Sequence, residues 1–274
     1  MPSQQAARIE FGGHPTGVRS RWLLAGALLG AALMGADAVA NGADLPAPLQ
    51  AYEAEYRVAR GPLTLGRSVT RLRAVSEGWE YRTVVTATGV ARMLVSEDAV
   101  ERTIFDTDGT SLRTLRYEHR PPDKVPALVD FDWAGHQALI DNDDGDSVVP
   151  LTPGQHDPHG AILSVMVSLA RDGDVPDFEV IDDDGDVRAL SFEVGDGGEI
   201  RVPFGRFDTV KVTRDRADRD RQLIAWFAPE LDWLPIRIQQ VNEGSTVARM
   251  ELRTLNGDSG SGREPRSNSP RNLP

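Results

Sequence analysis

Three neighbouring residues could ligate a metal or act as a general acid and base. His156, Asp157 and His159 form the one local cluster of histidines in the sequence, and two imidazoles with a carboxylate suit zinc binding or proton transfer. Pro158 separates the histidines, however, and Asp157 stands where a helix is predicted to begin, so helix capping explains it equally well. The sequence therefore favours a structural role for this cluster, with a metal site as the alternative.

Two acidic runs suggest a second kind of metal chemistry. Residues 141–146 read DNDDGD and residues 182–186 read DDDGD, and calcium takes several carboxylate and carbonyl oxygens from a flexible loop. Neither run has the spacing of an EF-hand loop or its final bidentate glutamate. Hairpin turns, which favour Asp and Gly at their tight positions, are the simpler interpretation.

Four tryptophans are candidates for contact with a ligand: Trp79, Trp133, Trp226 and Trp233. Amphipathic aromatic rings often line the mouths of β-barrels, where small molecules bind. Their commoner role is packing in the core. Both roles stay open at the level of sequence.

Several other kinds of chemistry find no support in the sequence. There is no cysteine, which excludes disulfides, thiolate nucleophiles and Cys-ligated metals. Neither a Gly-x-Ser-x-Gly motif nor a phosphate-binding glycine loop occurs, so we expect no nucleotide cofactor and no serine hydrolase. The formal charge of −12 argues against nucleic acid as a partner, because binding to phosphate is driven by Lys and Arg.

Most of the chain between residues 43 and 255 alternates apolar and polar residues, which is the pattern of half-buried strands. Turn residues separate these runs, and glycine supplies the positive φ that tight hairpins need. We therefore predict a mainly β fold, a curved antiparallel sheet or open β-barrel. The predicted strands occupy residues 52–58, 63–74, 79–88, 99–106, 111–119, 125–133, 137–141, 177–181, 187–194, 198–203, 205–214, 221–228, 234–242 and 247–255.

One helix is predicted, over residues 157–170, where five large apolar residues form a broad face. Asp157 is expected to cap the free N–H groups, and Pro158 suits the first helical position because its missing donor would be unpaired there. Gly173 is expected to end the helix. The apolar face predicts that this helix covers the sheet.

Both ends of the chain are predicted to lie outside the folded domain. Arg19 and Arg21 precede an apolar run and the triplet AVA at 38–40, which is the pattern of a cleaved secretory signal peptide over residues 1–40. An uncleaved N-terminal anchor is the alternative. Without these residues the formal charge is −13. Residues 256–274 are polar and are predicted to form a disordered tail. Residues 41–255 then form a single β-rich domain in a periplasmic protein, with no stable membrane span after cleavage.

A series of short motifs runs along the predicted domain: YEAEY at 52–56 with LG at 65–66, FDW at 131–133, QHD at 155–157, PFGRF at 203–207, WFAPE at 226–230 and WLPIR at 233–237. The order of these motifs resembles the DUF3108 family of exported bacterial proteins of unknown function. The resemblance covers most of the mature chain, and the last two motifs are the most specific. It implies a β-rich periplasmic domain, similar in shape to the half-open barrels of lipoprotein carriers, and brings no catalytic residues.

These observations favour a non-enzymatic periplasmic protein that binds an apolar or amphipathic ligand, such as a lipid, or an envelope protein, in the concavity of its sheet. Two alternatives remain open. One is an envelope hydrolase or metal-dependent enzyme that uses His156, Asp157 and His159. The other is a structural interaction module that uses an exposed sheet edge.

Overall fold

The computed structural model describes residues 44–93, 95–215 and 221–260. The predicted signal peptide and residues 261–274 of the predicted tail lie outside them. The described residues include one helix, α1 (Ala161–Asp172), and two short 3-10 helices, Gly89–Met93 and Pro229–Leu231. The strands are β1 (Tyr52–Arg60), β2 (Leu63–Val75), β3 (Gly78–Ala87), β4 (Ala99–Thr107), β5 (Leu112–Arg120), β6 (Ala127–Asp132), β7 (Gln137–Asn142), β8 (Gly145–Pro150), β9 (Phe178–Ile181), β10 (Val187–Val202), β11 (Gly205–Asp215), β12 (Arg221–Ala228), β13 (Leu234–Asn242) and β14 (Ser245–Leu255).

The strands form one antiparallel sheet built from two meanders. Strands β1 to β8 follow one another on one side, strands β9 to β14 on the other, and β1 pairs with β14 where the meanders meet. Short turns place consecutive strands side by side. The sheet ends at β8 on one edge and at β9 on the other, so it is not a closed barrel. The prediction of a mainly β, curved antiparallel fold is confirmed.

Two strand assignments differ from the sequence pattern. The run at 141–146 is not only a turn, because it contains the end of β7 and the start of β8. Five of the six residues of β8 are exposed, so the strand lacks the alternation that reveals half-buried strands. Strand β10 continues through the predicted break at 195–197, where the register with β11 shifts in a β-bulge.

The helix begins four residues later than predicted. Residues 158–160 form a turn before α1, and Pro158 is therefore not the first helical residue. The predicted end is confirmed, because Gly173 has φ of 70° and donates its N–H to the carbonyl of Leu169 at 3.0 Å. Within the described residues, no helix is both long and apolar enough to span a membrane.

Helix α1 packs against the concave side of the sheet, as the prediction of a covering helix requires. Its side chains Leu163 and Leu169 are at most 1% exposed. They share one hydrophobic cluster with residues from both meanders, such as Tyr56 on β1, Phe105 on β4 and Phe227 on β12. The helix thus fills the space that the curved sheet encloses.

A second hydrophobic cluster brings the two ends of the sheet together. Ile181 at the end of β9 packs with Val129 and Phe131 on β6 and with Ile140 on β7. The free edge of β9 is also bridged by His156, whose N–H donates to the carbonyl of Glu179 at 3.0 Å. The sheet therefore curls until side chains from its two ends meet, without hydrogen bonds between its edge strands.

The first residues of the predicted tail form an ordered turn beside β1. Asn256 donates its N–H to the carbonyl of Glu53 at 2.8 Å, and Leu255 pairs with Asp258 in an isolated bridge. Gly260 is buried against Phe204, whose carbonyl oxygen would lie 1.8 Å from an added Cβ. The chain is therefore packed as far as residue 260.

Candidate functional site

Asp157 holds the turn that leads into α1, and its side chain has no exposed surface. Its Oδ1 accepts hydrogen bonds from the N–H groups of His159 at 3.0 Å and Gly160 at 2.7 Å. Thr103 on β4 donates to Oδ1 at 2.8 Å, and Thr114 on β5 donates to Oδ2 at 2.9 Å. Burial raises the pKa of this carboxyl above its ordinary value. Asp157 therefore caps the turn and also ties it to the sheet.

His159 extends this network as a chain of hydrogen bonds. Its Nδ1 lies 3.0 Å from the hydroxyl oxygen of Thr103, and its Nε2 lies 2.9 Å from the hydroxyl oxygen of Thr83. The hydroxyl oxygens of Thr83 and Thr70 are 3.0 Å apart. A hydroxyl has one proton, and Thr103 gives its proton to Asp157, so Nδ1 must donate to Thr103. Nε2 then accepts from Thr83, which accepts from Thr70. This order fixes the Nδ1–H tautomer of a neutral imidazole.

Burial favours the neutral form of both histidines in the cluster. It lowers the pKa of His159 to about 3 and that of His156 to about 4. His159 stacks on Tyr81 with ring centroids 4.3 Å apart, whereas His156 packs edge-on against Phe178. Nε2 of His156 lies 3.5 Å from the hydroxyl of Ser164 on α1. The two imidazoles thus have separate surroundings.

The geometry supports the structural role of His156, Asp157 and His159. Both ring nitrogens of His159 and both carboxylate oxygens of Asp157 already have hydroxyl or N–H partners. Over the described ranges, the group of three potential metal ligands whose ligand atoms lie within 4.8 Å of one another is at another place, Asp182, Asp183 and Asp184. Metal binding by the histidine cluster stays a prediction.

The acidic run at 182–186 is the turn between β9 and β10. Asp182 accepts the N–H groups of Asp184 at 3.1 Å and Asp186 at 2.9 Å, and its Oδ2 lies 2.7 Å from Arg188. Burial raises the pKa of Asp182 to about 6. Its oxygens thus shape the turn, which is the interpretation that the sequence favoured. Calcium binding by either acidic run stays a prediction.

This turn also contacts the other end of the sheet through His119, which the sequence did not single out. Nδ1 of His119 on β5 lies 2.6 Å from Oδ2 of Asp183. Asn142 on β7 donates to the backbone carbonyl of Asp183 at 2.9 Å. Burial lowers the pKa of His119, but the hydrogen bond with Asp183 and the charge of Glu101 outweigh it and raise the pKa. The residues are far apart in sequence, so no local pattern could reveal this contact.

A candidate ligand pocket among the described residues is small. One small pocket lies at the end of the sheet near the start of β1, with a volume of about 30 Å³. Each water needs about 10–15 Å³ of such space, so the pocket holds a few waters. Among the residues that line it are Leu49, Tyr52, Met166, Leu231 and Leu234.

The four predicted tryptophans do not share one site. Trp79, Trp226 and Trp233 are partly buried against the cluster that contains α1, and Trp133 packs against the smaller cluster. The guanidinium of Arg237 lies 5.9 Å from the ring centre of Trp226. None of the four lines the pocket described above. Their role in ligand binding stays a prediction.

Strand β8 presents an open edge of the sheet. Among the described strands it pairs only with β7. Val148 on β8 is 59% exposed and lies opposite Leu139 on β7, which is 41% exposed. The adjoining residues Asp143, Asp144 and Asp146 are also exposed. The edge thus combines unpaired main-chain groups, two apolar side chains and negative charge.

A family model described as a protein of unknown function (DUF3108) matches residues 52–253. The chain belongs to the DUF3108 family. The predicted family membership is therefore confirmed, and the family description assigns no activity. A search of curated proteins found no match.

Two solved structures are similar to this DUF3108 protein. One is a β-barrel-like protein of the DUF1849 domain of unknown function from Brucella abortus, at 14% identity and a TM-score of 0.47, covering 75% of this chain and 96% of that one. The other is a candidate lipoprotein from Parabacteroides distasonis, at 10% identity and a TM-score of 0.32, covering 77% of this chain and 97% of that one. Neither similarity indicates a function for this chain.

Proposed function

We propose that this protein is a non-enzymatic, exported binding module that takes up an extended segment of an envelope protein along β8. The observation that carries the proposal is the unpaired edge of β8 beside two exposed apolar side chains. Such an edge is a template for an added strand, since its free N–H and C=O groups can bond to another chain. The segment would extend the sheet by one strand.

Charge at the edge indicates what kind of segment would bind. Asp144 and Asp146 are exposed beside the apolar pair Leu139 and Val148. Asp146 and Val148 are two residues apart and share one face of β8. A segment with an apolar and a basic residue two positions apart would therefore place the apolar side chain on this pair and the positive charge near the carboxylates. Pro150 ends the strand, which limits pairing there because proline has no N–H to donate.

The filled interior makes the concavity a weaker place for a ligand than the sequence suggested. Helix α1 occupies it, with Leu163 and Leu169 almost fully buried. A second candidate function nevertheless has one observation in its favour, the small pocket between Leu49, Met166 and Leu231. It would accept the thin end of an apolar or amphipathic ligand. Native mass spectrometry of protein purified from the periplasm tests this: a bound lipid supports it, and a ligand-free protein contradicts it.

Hydrogen exchange tests the edge proposal. A synthetic peptide in which valine and lysine take turns at every second position, with threonine between them, should slow exchange of the free amides at 145–149, because an added strand supplies acceptors for these N–H groups. Val148→Arg should abolish the protection by removing apolar contact and repelling the lysines. Val90→Arg is the matched control, since Val90 is also an exposed valine, 71% exposed, and lies in the short 3-10 helix between β3 and β4.

Equal protection in wild type and Val148→Arg would contradict the proposal, as would protection confined to other strands. A photo-reactive amino acid at position 148, compared with one at position 90, would then identify the natural partner in periplasmic extracts. Crosslinks that form equally from both positions would argue against an edge-specific partner.

A further inference from the structure

The convex face of the sheet carries a cluster of arginines around one buried carboxylate. Glu251 on β14 has a side chain that is only 6% exposed. Its oxygens lie 2.5 Å from a terminal nitrogen of Arg57, 2.9 Å from one of Arg237 and 3.4 Å from Nε of Arg249. One carboxylate therefore faces three guanidinium groups.

Strand register creates this cluster. Arg57 on β1 and Arg237 on β13 are the direct cross-strand neighbours of Glu251. Side chains on adjacent strands at paired positions lie on the same face. Leu252, the next residue on β14, is buried in the core with Tyr56 of β1, so the arginines lie on the opposite, convex face.

The neighbouring ion pairs do not balance the excess of positive charge. Arg67 lies 3.9 Å and Arg253 3.2 Å from Glu55, and both share that carboxylate. Around Glu251 and Glu55 together, five guanidinium groups face two carboxylates, an excess of three positive charges. This local excess contrasts with the chain as a whole, whose formal charge is −12.

The cluster also has hydrogen-bond donors to spare. The buried Nε atoms of Arg57 and Arg237 have no hydrogen-bond acceptor, and that of Arg249 has only its ion-pair contact of 3.4 Å with Glu251. The three side chains remain 41%, 18% and 29% exposed, respectively, so solvent reaches part of each guanidinium group. Trp226 flanks the cluster beneath Arg237. Positive charge is thus concentrated at a place that solvent reaches, where a phosphate would meet the exposed parts of the three guanidinium groups and not their buried Nε atoms.

We propose that this cluster, Arg57, Arg237 and Arg249 around Glu251, binds a phosphate group. Arginine guanidinium groups match the oxygens of phosphate with paired hydrogen bonds, and they keep their charge at every physiological pH. A phosphate would supply the negative charge that Glu251 alone does not provide. The phosphate is carried either by a small soluble molecule or by the headgroup of an anionic lipid.

Titration with inorganic phosphate, followed by calorimetry, tests the proposal on the full chain. Vesicles of phosphatidylcholine alone, and of equal amounts of phosphatidylcholine and phosphatidylglycerol, form the second arm. The double variant Arg57→Gln, Arg249→Gln should bind at least about tenfold more weakly, because each charged hydrogen bond is worth a tenfold change or more. Arg116→Gln is the matched control, since Arg116 is exposed and pairs one-to-one with Asp130 at 2.6 Å.

Binding of inorganic phosphate that the double variant weakens and the control does not supports a soluble phosphate ligand. Binding only to the phosphatidylglycerol vesicles, with the same dependence on the variants, supports a lipid headgroup. Absence of binding in both arms, or equal binding by the double variant, overturns the proposal. The single variant Arg249→Gln leaves Glu251 two arginine partners, so it serves if the double variant does not fold by circular dichroism.

Discussion

Replacement of Asp157 separates a structural role for the histidine cluster from a role that needs the charge of the carboxylate. Asp157→Ala removes the acceptor of four hydrogen bonds in a fully buried place. Asp157→Asn keeps Oδ1, which accepts three of them, and turns an NH₂ group towards Thr114, whose hydroxyl can accept. The two variants differ in the hydrogen bonds they retain, and neither carries the charge.

The cost of Asp157→Ala follows from the groups left without a partner. Loss of a helix-capping side chain costs about 1 kcal/mol, and the buried hydroxyls of Thr103 and Thr114 each lose an acceptor at about 1 kcal/mol or more. We therefore expect the free energy of unfolding to fall by about 3 kcal/mol. In a domain of this size that lowers Tm by about 6–12 °C. Asp157→Asn should stay within about 1 kcal/mol of wild type, because the carboxylate also loses its burial penalty.

Urea unfolding followed by circular dichroism measures both variants, and equal m-values confirm that the folded states are comparable. A loss in Asp157→Asn as large as that in Asp157→Ala would refute this reasoning. It would show that the fold needs the negative charge of Asp157 and not only its hydrogen bonds.

Three further predictions concern the core and the contact between the ends of the sheet. Leu163→Ala should lower the free energy of unfolding by about 3–5 kcal/mol in urea titrations, because Leu163 is fully buried on α1. A loss below about 1 kcal/mol would mean that the helix does not fill the concavity. Burial raises the pKa of Asp182 to about 6 in the folded protein, so the carboxyl of Asp182 ionises at a lower pH in the unfolded chain than in the folded one. The free energy of unfolding should therefore fall as the pH rises from about 4 to about 6. Asp182→Asn should flatten that part of the pH profile, and an unchanged profile would contradict the assignment. The pKa of His119 is raised in the folded protein, so the stabilisation by protonated His119 is complete below roughly pH 6.5, the pKa in the unfolded chain, and is lost as the pH rises through the folded pKa. Thermal melts of His119→Asn at increasing pH should lack this loss of stability. An equal loss in the variant would assign the pH dependence to another group.

The sequence predicted strands where side chains alternate between core and solvent, and it failed where that alternation is absent. Strand β8 is exposed on nearly all of its residues, so its sequence looks like a turn. The break predicted in β10 is a β-bulge, because glycines that suggest a turn also serve where two strands approach closely. Asp157 was predicted to cap the helix, but it accepts the N–H groups of the turn before α1. Its other hydrogen bonds extend to β4 and β5, which no local spacing reveals.

The sequence by itself determined the fold class, one covering helix with its final glycine, and the family, since each depends on residues close together in the chain. Tertiary structure decided which residues meet across strands: Thr103 with Asp157, His119 with Asp183, and the arginines with Glu251. It also decided that α1 fills the concavity and that β8 is left unpaired. The physical reason is that periodicity records which face of a strand is buried, whereas cross-strand contacts depend on the register between segments far apart in sequence.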